Sequence, residues 1–367
     1  MHAKEKIKVL VVDDSVVFRE LIARGIGTDP GIAVVATAGD PFEARDKILQ
    51  HRPNVMICDV HMPKMNGIEF LRRLLPQYPL PVIVVSAVSS SVFDALNAGA
   101  IDFIRKPDAQ WFRIEKFFEE LIEKIKAAST ARIVRHTNSG GRAGALPAVK
   151  PADKLAKPAV VRPAPTLAGH HAAKPTSVKL IAIGASTGGT EAIYTLLQSL
   201  PHDIPGIVIV QHISPGFSKI FAERLNQALA FRVKEAQTGD MIETGTVLIA
   251  PGDRHMRVKR AGDRFKVECY FGEKVSGHCP SIDMLFESVA KEAGSRSIGI
   301  LLTGMGYDGA KGLLAMRRKG ARTIGQDERT SVVYGMPKVA FELGAVEKQS
   351  PLDDISRVLS RMLQLQR

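Results

Sequence analysis

Short apolar runs alternate with helical stripes along both ends of the chain. Near the amino terminus KVLVVDD reads as a buried strand, and VVFRELIARGI after it sets Val17, Phe18, Leu21 and Ile22 on one helical face. AVVATAG, VMICDV, PVIVVSA and AIDFIRK predict further strands with helical patterns between them, and WFRIEKFFEELIEKIKA predicts a closing helix. Strand–helix alternation of this kind predicts a parallel sheet covered by helices on both faces. Towards the carboxyl terminus the grammar repeats. KLIAIGA, GIVIVQH, GTVLIAP and IGILLTG are almost wholly apolar, as strands buried on both faces must be. MRVKRAGDRFKVECY predicts a hairpin about an Ala-Gly-Asp turn. PSIDMLFESVAKEAG predicts a helix with Pro280 near its start, a stripe of Ile282, Leu285, Phe286 and Val289, and Gly294 at its end.

Between these regions, from about residue 127 to 177, the periodicity stops. Ala, Pro, Gly and basic residues dominate, and such a segment cannot bury enough apolar surface to offset its ordering entropy. Its prolines predict a semi-stiff, extended linker. The chain therefore divides into an α/β domain over 1–126, a basic linker over 127–177 and a second, doubly wound and mostly parallel α/β domain over 178–367. A length of 367 residues agrees with two domains.

Charge enters the argument through its location. The net charge is +12, but residues 1–126 are neutral, 127–177 carry +7 and 178–367 carry +5. The excess thus marks the linker and not a basic domain face. The second domain also lacks the compact three-helix unit with a basic recognition helix that DNA-binding outputs use, so no nucleic-acid partner is expected. No apolar run reaches the ~18 residues that span a bilayer, and the amino terminus enters a strand without room for a signal peptide. Cys58, Cys269 and Cys279 have no C-x-x-C spacing and cannot all pair, so they read as small buried hydrophobes in a reduced, cytoplasmic protein, and a monomer is expected.

Polar residues cluster at the predicted carboxyl ends of strands, where open parallel sheets bind ligands. In the first domain these are Asp13-Asp14, Asp59, Ser86 and Lys106. Each has a plain explanation alone: Asp13-Asp14-Ser15 suits a helix cap, Ser86 a turn and Lys106 a solvated charge. Together they suggest carboxylates balanced by Mg²⁺, one of them attacking a phosphoryl group whose oxygens a hydroxyl and a lysine hold. The segments VVDDS, CDVHMPKMNGIEF, VSA and GAIDFIRKP resemble the response-regulator receiver domain, a flavodoxin-like (βα)5 fold, over about 5–126. The resemblance implies Asp59 as phosphoacceptor, Asp14 as direct metal ligand, Asp13 acting through water, and the His61 backbone carbonyl as a further ligand. It implies phosphoryl contacts from Ser86 and Lys106, and a switch role for Phe103, which reads equally well as plain core.

In the second domain Ser186 follows KLIAIGA, His212 ends GIVIVQH, and Asp308 follows IGILLTG through a glycine-rich loop. These supply a nucleophile, a base and an orienting carboxylate. Gly184, Gly188 and Gly189 suit a sharp turn that bares the Ser186 hydroxyl, and backbone N–H groups of Gly304-Met305-Gly306 suit an oxyanion site. A phosphate-cradling loop is the rival reading of IGASTGGTEAI, although G-x-G-x-x-G and a P-loop lysine are both missing. His212 alone also suits a core histidine, and Asp308 a helix N-cap. The blocks IGASTGGTEA, VIVQHISPGFS, TGMGYDGAKGL and QDERTSVVYGMPKVA resemble the catalytic domain of bacterial chemotaxis-receptor methylesterases (CheB) over about 178–365. That resemblance implies hydrolysis of receptor glutamyl methyl esters and deamidation of receptor glutamines without a cofactor for the esterase step. Ser186, His212 and Asp308 would be catalytic, Thr187 would line the site, and Met305 would supply an oxyanion N–H. It also implies a chemotaxis histidine kinase as phosphodonor and methyl-accepting chemoreceptors as substrates. A regulated scaffold with an inactive hydrolase domain, or a hydrolase acting on another signalling substrate, are the alternatives.

Overall fold

A computed structural model describes residues 5–87, 89–107, 114–131 and 178–365. The amino-terminal unit runs β1 (Ile7–Val12), α1 (Val16–Ile26), β2 (Ile32–Ala38), α2 (Pro41–His51), β3 (Val55–Asp59), α3 (Gly67–Leu74), β4 (Val82–Ser86), α4 (Ser89–Asn97), β5 (Asp102–Arg105) and α5 (Ile114–Ser129). Its strands form one parallel sheet in the order β2-β1-β3-β4-β5. Every residue of β3 and β4 is buried, which is why these strands read as unbroken apolar runs. Ser15 caps α1, accepting a hydrogen bond from the Phe18 N–H at 3.3 Å. Helix α5 continues through Ser129, so the first residues of the expected linker are helical. The rest of that segment, 132–177, lies outside the described residues.

The carboxyl-terminal unit comprises β6 (Leu180–Ala185), α6 (Gly189–Gln198), β7 (Gly206–Gln211), α7 (Phe217–Ala228), β8 (Arg232–Glu235), β9 (Thr246–Ile249), β10 (His255–Ala261), β11 (Arg264–Tyr270), α8 (Ile282–Glu292), β12 (Ser297–Leu301), α9 (Ala310–Arg318), β13 (Arg322–Gln326), α10 (Met336–Glu342), β14 (Lys348–Ser350) and α11 (Leu352–Leu365). Seven strands form a parallel sheet in the order β14-β13-β12-β6-β7-β9-β8. The predicted hairpin is β10-β11, with Ala261 paired to Arg264, so its turn is the two residues Gly262-Asp263. Strand order reverses around β6, which lies between β12 and β7. That reversal opens a crevice above the carboxyl ends of these three strands.

The two units share a core. Phe103 on β5 packs on Phe217 of α7 with ring centroids 4.7 Å apart, and Phe93 on α4 stacks on Phe221 of α7 at 5.8 Å. Such ring pairs contribute roughly 0.5–1.5 kcal/mol each beyond their buried area. The α4–β5 face of the first unit therefore rests on the helix that follows His212.

Close packing also explains Gly184. It is buried in β6, and a Cβ there would lie 2.3 Å from Ile282 Cγ2 on α8. Gly184→Ala is expected to push α8 away from the sheet and lower stability by about 1–3 kcal/mol, read as a lower urea midpoint with an unchanged slope.

Candidate active site and acidic pocket

Ser186 sits where β6 turns into α6. Its N–H donates to the Thr303 carbonyl at 3.0 Å, and its own carbonyl accepts from the Gly189 N–H at 2.7 Å, closing a tight turn. Gly188 takes the left-handed conformation that this turn needs, with φ +75°. The glycines expected to make the turn thus divide their work: Gly188 makes the bend, and Gly184 admits α8.

His212 follows β7 directly and brings Nδ1 to 3.1 Å from Ser186 Oγ. Its Nε2 lies 2.8 Å from Asp308 Oδ2. Asp308 is buried, yet its carboxylate is fully met. Oδ1 accepts from Ser281 Oγ at 2.8 Å and the Asp283 N–H at 3.0 Å, and Oδ2 accepts from the Ile282 N–H at 2.7 Å as well as from His212. Three of these donors form the first turn of α8, whose amino end carries partial positive charge. Burial works to raise the Asp308 pKa, but the His212 hydrogen bond and charge and the α8 N–H groups prevail and hold it below the usual carboxylate range. An ionised Asp308 requires the proton of neutral His212 to sit on Nε2. Nδ1 then presents its lone pair to the serine hydroxyl. Asp308 does not cap α9, whose cap is Gly309, and serves α8 and His212 instead.

The loop after β12 lies against Ser186, since a Cβ on Gly304 would fall 2.7 Å from Ser186 Cβ. The next residue, Met305, has a backbone N–H without an acceptor among the described residues, and its side chain is partly exposed. Thr187 is buried, and its hydroxyl donates across the domain boundary to Asp102 Oδ2 at 3.0 Å.

Two contributors were not legible in the sequence. Ser281, read only as part of a helix start, is a direct partner of Asp308. His278 stacks on the His212 ring, with centroids 3.7 Å apart and planes 17° from parallel. Burial, and then the neighbouring His212, push the His278 pKa down to about 3, so this ring is a neutral aromatic wall. Its position in an irregular loop before α8, away from any strand end, left no periodic signal.

In the first unit Asp13, Asp14 and Asp59 offer carboxylate oxygens that all lie within 4.8 Å of one another. Lys106 Nζ lies 2.8 Å from Asp13 and 2.7 Å from Asp59. Burial and the Asp59 charge raise the Asp13 pKa against the pull of Lys106, while the two carboxylates raise that of Lys106 against its own burial. One lysine facing three carboxylates leaves negative charge over, and an all-oxygen donor set of this size fits Mg²⁺. Ser86 is buried with Oγ 3.3 Å from Ser91 Oγ, and His61 is exposed. Phe103 is in the core, as expected of a buried aromatic, but that core is shared with the other domain.

The chain was compared with known proteins. The family described as CheB methylesterase matches residues 181–359, and that described as response regulator receiver domain matches 9–113. A protein-glutamate methylesterase/protein-glutamine glutaminase 2 of Syntrophomonas wolfei is 55% identical over 359 residues, covering 98% of both chains. A protein-glutamate methylesterase/protein-glutamine glutaminase of Salmonella choleraesuis is 43% identical over 363 residues, covering 98% of this chain and 96% of the relative. Among solved structures, the Thermotoga maritima CheB methylesterase catalytic domain is 34% identical, with 51% of this chain and 98% of that one covered and a TM-score of 0.49. With a receiver domain ahead of a methylesterase domain and full-length relatives at this identity, the chain belongs to the CheB methylesterase family.

Proposed function

We propose that this protein hydrolyses glutamyl methyl esters, and deamidates glutamines, on the cytoplasmic helices of chemoreceptors, and that phosphorylation of Asp59 by a chemotaxis histidine kinase switches it on. The observation that carries the reading is the hydrogen-bonded series Ser186–His212–Asp308 at the strand-order reversal. His212 Nδ1 takes the Ser186 proton as Oγ attacks the side-chain carbonyl carbon. The Met305 N–H stabilises the oxyanion, and buried Asp308 stabilises the imidazolium. His212 then gives its proton to the leaving methoxide, releasing methanol, or to the leaving amine, releasing ammonia. Water attacks the resulting acyl-serine with His212 again as base, and the products are the glutamate side chain and free Ser186. No metal is needed in these steps. No helix among the described residues is long and apolar enough to cross a membrane, and the reading places the enzyme in the cytoplasm.

Mg²⁺ in the receiver would be held by Asp13, Asp14, Asp59 and the His61 carbonyl, and would neutralise phosphoryl charge during transfer to Asp59. The gate is supported by the domain boundary. Asp102 accepts from Thr187, next to the nucleophile, and from Lys124 Nζ on α5 at 2.8 Å. Lys124 in turn lies 3.9 Å from Glu120, which accepts from Ser214 Oγ, two residues past the base, at 3.1 Å. Burial opposes the Lys124 charge, but Asp102 and Glu120 hold its pKa above the usual value. One ion-paired cluster of the receiver thus grips the segments that follow both Ser186 and His212. Strand β5 carries Asp102 and Phe103, and Lys106 follows it. Recruitment of Lys106 and Ser86 by a phosphoryl group would act on that strand and loosen the grip.

Three outcomes test the reading. Ser186→Ala abolishes methanol release from methylated receptor with an unchanged circular dichroism spectrum. Asp308→Asn, by removing the charge and the Nε2–H preference, lowers kcat by as much as about 10⁴-fold with little change in KM. Asp59→Asn loses phosphodonor stimulation and keeps basal turnover, whereas Asp102→Asn and residues 178–367 alone run faster than the unstimulated full chain. Equal unstimulated rates for the full chain and for 178–367 refute the gate.

A further inference from the structure

We infer that Gln211 is a positioning residue of the hydrolytic site: its carboxamide ties the backbone of the nucleophile to the backbone of the base and so sets the approach of Ser186 Oγ to His212 Nδ1. This rests on the assignment of Ser186 and His212 above.

Gln211 is the last residue of β7 and pairs in register with Ala185, the last residue of β6. The His212 N–H donates to the Ala185 carbonyl at 3.1 Å, which aligns the two strand ends. Above that point the chains diverge, one into the Ser186 turn and the other into the His212 loop. The Gln211 side chain spans the gap. Its Nε2 donates to the Ser186 carbonyl at 2.9 Å and to the His212 carbonyl at 3.0 Å. Two carbonyl oxygens that would otherwise repel are bridged by the two protons of one amide group.

The orientation of the amide follows from this chemistry, since the flipped amide would set Oε1 against both carbonyls. Its consequence is that Oε1 is buried without a hydrogen-bond partner among the described residues. A buried acceptor left unpaired is a cost that an apolar side chain of similar volume would avoid. The surroundings accommodate the amide closely, because a Cβ on Gly189 would fall 2.2 Å from Gln211 Oε1. The position therefore holds an amide whose donors are used and whose acceptor is sacrificed. Both donors go to the two residues that must meet for proton transfer. Displacing reacting groups by about 1 Å costs on the order of 10²-fold in rate, so a link between these two backbones acts on catalysis without touching substrate.

The test uses the full chain with a small-molecule phosphodonor present, p-nitrophenyl acetate as a small ester, and a fluorophosphonate that forms a P–O bond to serine with loss of fluoride. Gln211→Met keeps the volume without donors. Gln211→Glu keeps the shape but sets a carboxylate against both carbonyls, and Gln211→Asn keeps the amide one methylene shorter. For Met and Glu, kcat and the rate of serine phosphonylation are expected to fall about 10- to 100-fold, while KM stays within about two-fold and thermal melting stays cooperative. Asn, folded and within reach of one carbonyl, falls between, and it carries the test if either of the others fails to fold. Wild-type phosphonylation and kcat in the folded variants, with only a lowered melting temperature, overturn the positioning role. Ser186→Ala is the control: loss of labelling there with normal rates in the Gln211 variants discards Gln211 alone, and persistent labelling discards the nucleophile assignment beneath it.

Discussion

The candidate active site is organised around one buried anion. Asp308 is withdrawn from water, and a lone carboxylate in that position would take up a proton. It stays ionised because the first turn of α8 offers two N–H groups and a serine hydroxyl, and His212 offers a fourth donor. Ring orientation, tautomer and the direction of the Nδ1 lone pair follow from that single ion. So do constraints at a distance. Helix α8 must begin at this point, which needs Ile282 against β6, which in turn needs a residue without Cβ at position 184. The loop after β12 must be long enough to deliver Asp308 to a helix other than the one it precedes.

The chain carries two acidic centres built on opposite principles. In the receiver, three carboxylates share one lysine and retain negative charge that suits a hard cation. In the esterase domain, one carboxylate is saturated by hydrogen bonds from His212 and the first turn of α8. The same fold grammar hosts both, since each lies at the carboxyl ends of parallel strands. What distinguishes them is whether the facing loops supply carboxylates or N–H groups. Strand β5 stands between the two centres: Lys106 follows it toward one, and its Asp102 bonds Thr187 in the other.

Legibility in the sequence followed periodicity. Apolar runs such as KLIAIGA and GIVIVQH were readable as strands because burial on both faces leaves almost no polar position, Gln211 at the end of β7 being the exception. Ser186 and His212 were readable as candidates because they come directly after such runs. Asp308 was readable as the carboxylate of the set from its loop beyond an apolar run, but less sharply than the other two, because a helix-capping role explained it as well. The glycines were seen together as turn-makers, but only Gly188 bends the chain as required there. His278, Ser281 and Gln211 carried no signal for their contacts, because a ring stack, a helix-start hydroxyl and a bridging amide depend on partners remote in sequence.

The sequence by itself marked the two α/β regions, most of their central strands though not β8, β13 or β14, the acidic cluster, and Ser186 and His212 as candidates, because local apolar patterning and strand-end placement are encoded over a few neighbouring residues. Only the tertiary structure decided which nitrogen of His212 faces Ser186, why Asp308 can be buried as an anion, and how Asp102 and Glu120 reach Thr187 and Ser214. Those contacts join residues 25 to 96 positions apart. Their geometry is set by which helix end, strand end and domain face are brought together, and no local pattern in the chain records that.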